Sequence, residues 1–200
     1  VDIVMQEISL FDEIKIKKSN ELRISCNDSS VPVNEKNSCH KSVRLLQEAS
    51  GIEENIEIEL NKTIPSAGGL GGGTSNAAAV LKYLNNEWQL NYSNEKLSQI
   101  AKIVGADVAF FLYGKTALCK GIGEIVSPIK SLPKMPVLVI TPKIAVPEQK
   151  TKWIFSKDME FIKVYSPSQL LAKSMKPRLE RALEKFNMFT IACLDFFMPV

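Results

Sequence analysis

The sequence predicts an α+β fold, with strands and helices in irregular alternation. Apolar and polar residues alternate loosely over residues 4–17 and again over 55–60, which is the period of a half-buried strand. The apolar residues of 74–88 recur instead at helical spacing, and a further helix should begin at Ser93. In that further helix we expect three side chains to face inward: Leu97, Ile100 and Ile103.

Shorter patterns predict the remaining elements. Alternation continues over 22–26, which indicates a second short strand. The helix that follows has Asn37 or Ser38 as its cap and Gly51 where a helix should end. The later elements predicted in the same way are strands at 116–118 and 137–140 and helices at 150–156 and 168–185.

Charge, hydropathy and cysteine spacing exclude several classes of protein. The net charge of +3 is too small to indicate nucleic-acid binding, and no apolar run approaches the roughly 20 residues of a membrane span. The four cysteines are scattered without a C-x-x-C pair, which argues against a zinc site and a disulfide framework. This cysteine usage is typical of a reducing cytosol, so we expect a cytoplasmic protein, with a plastid location left open.

Glycine and proline are distributed so unevenly that they divide the chain. Five of the ten glycines lie between Gly68 and Gly73, and none follows Gly123, whereas eight of the ten prolines do. We therefore predict one domain over residues 1–130 and a second, partial one over 131–200. Since the first residue is not methionine, we also expect the chain to begin inside a longer protein.

The segment richest in chemical information is a glycine loop between a predicted strand and a predicted helix. It consists of Pro65, Ser66, Ala67, Gly68, Gly69, Leu70, Gly71, Gly72, Gly73, Thr74 and Ser75. Glycine lets backbone N–H groups approach a ligand closely, and a helix start favours an anion. No Lys follows the last glycine, as a Walker A loop requires, and no acidic residue completes a Rossmann motif. An ordinary capped turn is the alternative, but the glycine content favours a phosphate cradle.

Several motifs together resemble one group of kinases. PSAGGLGGGTSNAAAVL resembles the second conserved motif of the GHMP kinase superfamily, which includes galactokinase and the homoserine and mevalonate kinases. VMQEISLFDEI near the start, GADVAFF at 105–111 and GIGE at 121–124 resemble the 4-diphosphocytidyl-2-C-methyl-D-erythritol kinase family within it. The resemblance extends to about Phe155. It implies a GHMP-kinase fold, with an N-terminal ribosomal-protein-S5-domain-2-like α/β domain lacking its first strand and part of a C-terminal α+β domain.

This resemblance implies an ATP-dependent kinase that phosphorylates the 2-hydroxyl of a cytidine diphosphate-linked polyol in non-mevalonate isoprenoid synthesis. ATP and Mg²⁺ would be its cofactors, with the ATP phosphates over residues 65–75 and the Ser75 hydroxyl near the metal. A small molecule would be the partner, with neither nucleic acid nor membrane. The alternatives are a homoserine- or mevalonate-type kinase, or a catalytically incomplete nucleotide-binding remnant. The remnant is considered because the family's N-terminal lysine and third glycine-rich motif are not among these residues.

The resemblance also assigns roles to single residues. Asp107 would be the catalytic carboxylate that orients or deprotonates the acceptor hydroxyl, although from sequence alone it could equally cap the following helix. Asn37 precedes the helix that lines the adenine pocket in the family, and it could also cap that helix. Thr151 and Phe155 match residues that hold the substrate's cytidine, and the alternative for them is an ordinary surface helix.

Overall fold

The computed structural model describes residues 2–66, 68–131, 133 and 136–139. Within these residues it confirms the α+β class. The elements are β1 (Asp2–Gln6), β2 (Glu13–Lys18), β3 (Arg23–Cys26), α1 (Ser38–Ser50), β4 (Ile56–Asn61), α2 (Gly72–Glu87), α3 (Asn94–Val104), α4 (Val108–Tyr113), β5 (Thr116–Lys120) and β6 (Ile125–Pro128).

The strands form two three-stranded sheets. In one sheet the order is β2-β4-β3, with β4 antiparallel to β2 and parallel to β3. In the other the order is β1-β5-β6, and both pairings are antiparallel. The single strand predicted over 4–17 is therefore wrong. Residues 7–12 carry the chain from one sheet to the other, and the Asp12 side chain bonds to the backbone just beyond β4.

An apolar core joins the β2-β4-β3 sheet to the four helices. The helical spacing of apolar residues over 74–88 is confirmed as one inner face of α2 by four fully buried residues: Ala77, Val80, Leu81 and Leu84. Trp88, the last apolar residue of that pattern, lies at the C-cap and is partly buried. In α3, Leu97 and Ile100 are buried as predicted, but Ile103 is 69% exposed. At about 100° per residue Ile103 lies roughly 120° around the helix from Leu97. The fully buried Ala101, one turn after Leu97, takes the inward position instead.

The helix ends follow the predicted signals closely. Asn37 caps α1, and Gly51 ends it in the left-handed region with φ +73°. Ser93 caps α3 through a bond from the Lys96 N–H to its hydroxyl. Helix α2 begins at Gly72, two residues before the predicted start, so the last two loop glycines belong to the helix.

Only part of the later predicted elements lies within the residues that the structure describes. Residues 137–139 form no strand, so that prediction is wrong for them, and Ile140 lies outside the described residues. Val137 and Leu138 are exposed and pair with no described strand. The helices predicted at 150–156 and 168–185 also lie outside the described part. No helix within that part is both long and apolar enough to cross a membrane.

Candidate active site

The glycine loop ends at the N-terminus of α2, where backbone donors lack helical acceptors. Gly71 occupies the N-cap position with φ +68°, and no side chain caps the helix. The first intrahelical bond runs from the Ser75 N–H to the Gly71 carbonyl at 2.8 Å. The N–H groups of residues 72–74 precede that bond, so they are the donors that a helix start offers to an anion.

Two of the loop glycines are required by close packing. A Cβ atom at Gly71 would lie 2.9 Å from the Phe111 ring, and the positive φ independently favours glycine there. A Cβ atom at Gly72 would lie 2.9 Å from Lys62 Nζ and 3.0 Å from Ile64 Cγ2. Side chains on both sides therefore fix the backbone at the start of α2, and any larger residue would displace it.

The two hydroxyls that follow the glycines bond back to the helix. Thr74 Oγ1 donates to the Gly71 carbonyl at 2.8 Å, and Ser75 Oγ donates to the Gly72 carbonyl at 2.9 Å. The Ser75 N–H is used within the helix by its bond to the Gly71 carbonyl, so it is not among the donors available to an anion. A hydroxyl that donates one bond keeps its oxygen lone pairs, so Ser75 Oγ can still face a cation.

A second helix begins beside the first. A Cβ atom at Gly73 would lie 4.0 Å from Ser38 Oγ at the first residue of α1. The amide of the buried Asn37 caps α1, since its oxygen accepts from the Cys39 N–H at 2.8 Å and its nitrogen donates to the Pro32 carbonyl at 2.6 Å. The positive ends of two helix dipoles therefore meet at this position, which favours an anion more than one helix start does.

Asp107 lies on the short connection between α3 and α4, next to the start of α2. A Cβ atom at Gly105 would be 3.6 Å from Thr74 Cγ2, so this connection packs on the first turn of α2. Asp107 occupies the N-cap position of α4, but its side chain makes no capping hydrogen bond. Partial burial raises the pKa of Asp107. The connection that carries Asp107 is thus held beside the first turn of α2, and the Asp107 carboxylate lacks the bond that a structural cap would make.

The turn between β5 and β6 covers Asp107 from the other side. Gly123, with φ +123°, would place a Cβ atom 3.1 Å from Asp107 Oδ1. Glu124 holds this turn, because its carboxylate accepts from the Ile122 N–H at 2.7 Å and pairs with Lys102 at 3.3 Å. The GIGE turn singled out in the sequence therefore borders the candidate catalytic carboxylate.

Sequence reasoning missed a buried ion pair under the glycine loop, between Asp12 and Lys62. The Asp12 side chain is fully buried and accepts four hydrogen bonds, from the ammonium of Lys62, the backbone of Thr63 and Ile64, and the amide of Asn76. Burial raises the pKa of Asp12, but the four donors outweigh burial and hold the pKa below its ordinary value. In the sequence, the one indication of this ion pair was a lysine shortly before the loop.

A second carboxylate fastens the loop from the β3–α1 connection. Asp28 accepts from the hydroxyl of Ser66 at 2.6 Å, and its other oxygen accepts from the hydroxyl and backbone of Ser30. The hydrogen bond from Ser66, followed by those from Ser30, lowers the pKa of Asp28 to about 2. This contact holds the first part of the loop near the segment that leads into α1.

The remaining predicted site residues lie outside the described part of the chain: Ala67, Thr151 and Phe155. Within the described residues no group of three or more His, Cys, Asp or Glu side chains could hold a metal ion. Ser75 offers a hydroxyl at the loop and Asp107 a carboxylate on the connection beside it, and the two form a sparse set of oxygen donors. Such a sparse set fits Mg²⁺, which proteins bind through one or two oxygen groups together with substrate phosphates and water.

Comparison with known proteins identifies the kind of domain that carries this site. Residues 37–115 match the family described as GHMP kinases N terminal domain. The chain is 38% identical, over 194 residues, to the 4-diphosphocytidyl-2-C-methyl-D-erythritol kinase of Caldicellulosiruptor bescii, an alignment that covers 94% of this chain and 63% of the relative. The chain spans between about half and 63% of the length of the curated relatives it matches.

Solved structures share the fold. A crystal structure of 4-(cytidine 5'-diphospho)-2C-methyl-D-erythritol kinase superposes with a TM-score of 0.67 at 24% identity, covering 97% of this chain and 68% of that one. Homoserine kinase from Cytophaga hutchinsonii superposes with a TM-score of 0.56 at 27% identity, covering 72% and 50% of the two chains. The glycine loop, α2 and Asp107 all lie within residues 37–115, and this part of the chain is a GHMP kinase N-terminal domain.

Proposed function

We propose that the protein containing this chain is an ATP-dependent kinase that phosphorylates the 2-hydroxyl of 4-diphosphocytidyl-2-C-methyl-D-erythritol. Residues 1–130 would form its ATP-binding domain. The substrate is suggested by the relatives, such as the 4-diphosphocytidyl-2-C-methyl-D-erythritol kinase of Caldicellulosiruptor bescii. The observation that carries the proposal is the packing of the Asp107 connection on the first turn of α2, through Gly105 and Thr74.

That packing brings together the two groups that phosphoryl transfer requires. The N–H groups of 72–74 and the start of α1 offer positive charge to the phosphates of ATP, which carry the negative charge of the reaction. Asp107 offers a carboxylate within the same region. Because burial raises its pKa, the ionised Asp107 is a better proton acceptor than an ordinary aspartate.

The carboxylate and the backbone donors would have separate roles in the reaction. The acceptor hydroxyl oxygen forms a bond to the γ-phosphorus while the bond from that phosphorus to the β–γ bridging oxygen breaks. The hydroxyl proton passes to Asp107, and ADP leaves with the bond's electron pair. The backbone donors of 72–74 hold the phosphates in line for the attack, and they need no reorganisation because packing fixes the loop.

Mg²⁺, when bound with ATP, would neutralise charge on the phosphate oxygens. Ser75 is the hydroxyl that would face it, because its oxygen keeps lone pairs after donating to the Gly72 carbonyl. Asn37 would act on the nucleotide through the start of α1, whose geometry its amide fixes. Thr151 and Phe155 remain the proposed contacts to the cytidine of the substrate.

The test compares three acceptor alcohols under one assay. The purified protein is incubated with Mg·ATP and either diphosphocytidyl-methylerythritol, homoserine or mevalonate, and release of ADP is measured. We expect release with the first alcohol and none above background with the other two. Release with homoserine or mevalonate alone would assign a different kinase, and tight ATP binding without transfer to any of the three would identify a nucleotide-binding remnant.

A further inference from the structure

The buried ion pair between Asp12 and Lys62 has no part in the reaction described above. The two side chains are 0% and 7% exposed. The same carboxylate accepts from the backbone of Thr63 at 2.7 Å, the backbone of Ile64 at 2.8 Å and the side chain of Asn76 at 2.9 Å. A single residue from the β1–β2 connection thus joins the segment after β4 to the second turn of α2.

The ammonium of this pair lies against the first residue of α2. A Cβ atom at Gly72 would meet Lys62 Nζ at 2.9 Å, and this is the closest side-chain approach to that residue. The positive charge therefore lies beside the residue that supplies the first N–H donor of α2. Its position relative to that donor is fixed, because Asp12 holds both the lysine and, through Asn76, the helix itself.

Folding stability alone does not explain a pair of this kind. Removing two charges from water is costly, and apolar side chains of similar volume often stabilise a core as well or better. The nearby core consists of aliphatic side chains, such as Ile64, that could extend into this space. A charged pair placed beside an anion-binding helix start instead points to a role in binding.

We propose that Asp12 and Lys62 are positioning residues for phosphate binding. Their ion pair holds the first turn of α2 in the geometry that receives the phosphates and adds the charge of Lys62 beside the first residue of that turn. This inference rests on the proposed function, since it assumes that a phosphate chain binds at the loop. It makes the pair a determinant of affinity for the phosphates rather than for the base or the acceptor alcohol.

The main test removes both charges together, so that no unpaired charge stays buried. Asp12→Asn with Lys62→Met keeps the volumes, and its matched control is Lys15→Met with Glu59→Gln, an exposed pair 3.1 Å apart between β2 and β4. Dissociation constants are measured for Mg·ATP and for adenosine, which has no phosphate, together with the far-UV CD spectrum and the melting temperature. We expect ATP binding to weaken about ten-fold, with adenosine binding unchanged and with the control variant like the unaltered protein.

The outcomes separate a positioning role from a structural one. Equal loss of ATP and adenosine affinity, or unchanged ATP affinity in a folded double variant, would overturn the inference. Lys62→Arg, which keeps the charge, should restore most of the ATP affinity lost in Lys62→Met. If the unaltered protein binds ATP but does not transfer phosphate to the diphosphocytidyl substrate, the proposed function is wrong, but this inference is not contradicted.

A measurement on the unaltered protein covers the case in which the variants do not fold. Hydrogen exchange is followed at the amides of Thr63 and Ile64, which donate to Asp12, and at those of 72–74, with and without Mg·ATP. We expect nucleotide to slow exchange at both places, because the ion pair couples them. Protection at 72–74 without any change at Thr63 and Ile64 would show that the pair is not coupled to phosphate binding. No change in exchange at either place would show that the phosphates do not bind at this helix start.

Discussion

Gly123 packs directly on the carboxylate of Asp107. A Cβ atom at this glycine would lie 3.1 Å from Asp107 Oδ1, and the backbone has φ +123°, a conformation that other residues rarely adopt. The turn between β5 and β6 therefore limits where the carboxylate can lie. It also withdraws the carboxylate from water, which is the cause of its raised pKa.

Replacing Gly123 by alanine should reduce turnover more than nucleotide binding. The added Cβ must displace either the turn or the Asp107 carboxylate, and a misplacement of about 1 Å can cost on the order of 10²-fold in rate. The measurement is kcat with Mg·ATP and the diphosphocytidyl substrate, together with the ATP dissociation constant. Gly51→Ala is the control, because Gly51 also has a positive φ but lies at the end of α1 with nothing within 4 Å of its Cβ position. Equal losses in the two variants would show a general effect of backbone strain.

Asp107→Asn should keep ATP binding and lose turnover by about 10²–10⁴-fold, the usual contribution of a general base. The variant should not be less stable than the unaltered protein, because the carboxylate makes no capping hydrogen bond that asparagine would lose. Glu59→Gln removes an exposed carboxylate and serves as the control for charge. Unchanged turnover with a lowered melting temperature would make Asp107 a structural residue.

The raised pKa of Asp107 predicts a pH dependence of stability with a defined sign. Since its pKa is higher in the folded than in the unfolded chain, the folded state binds the proton more tightly. The contribution of Asp107 to stability is therefore greatest below its ordinary pKa and is lost as pH rises through the folded value. The free energy of unfolding is measured against pH by urea denaturation for the unaltered protein and for Asp107→Asn. As pH falls, the value for the unaltered protein should rise relative to the value for the variant. A constant difference between pH 4 and 7 would contradict the shift.

Much of the fold and part of the site could be predicted because the signals are local. Helix α2 was predicted from its 3.6-residue period, and the start of α1 from a capping asparagine. The pair of Asp12 and Lys62 could not be predicted, since two residues 50 positions apart leave no periodic signal. The break between β1 and β2 was missed for a related reason. Alternation shows which face of a strand is buried but not to which sheet the strand belongs.

Gly72→Val should abolish nucleotide binding while the protein stays folded. A branched side chain at this position meets Lys62 Nζ and Ile64 Cγ2, which a Cβ atom alone would approach at 2.9 and 3.0 Å. The start of α2 must therefore move away from the ion pair, and the N–H donors of 72–74 move with it. ATP affinity is measured by calorimetry and folding by the far-UV CD spectrum. Unchanged ATP affinity would show that the phosphates do not bind at this helix start.

Asn37→Ala separates the two roles considered for the asparagine. Loss of its cap should destabilise the protein by about 1 kcal/mol, because the Cys39 N–H loses its acceptor and the Pro32 carbonyl loses its donor. Ser93→Ala removes the corresponding cap of α3 and is the matched control for stability. We expect only Asn37→Ala to weaken ATP binding as well, since α1 starts beside Gly73 whereas α3 starts elsewhere. If both variants lose stability and neither loses ATP affinity, Asn37 is a helix cap alone.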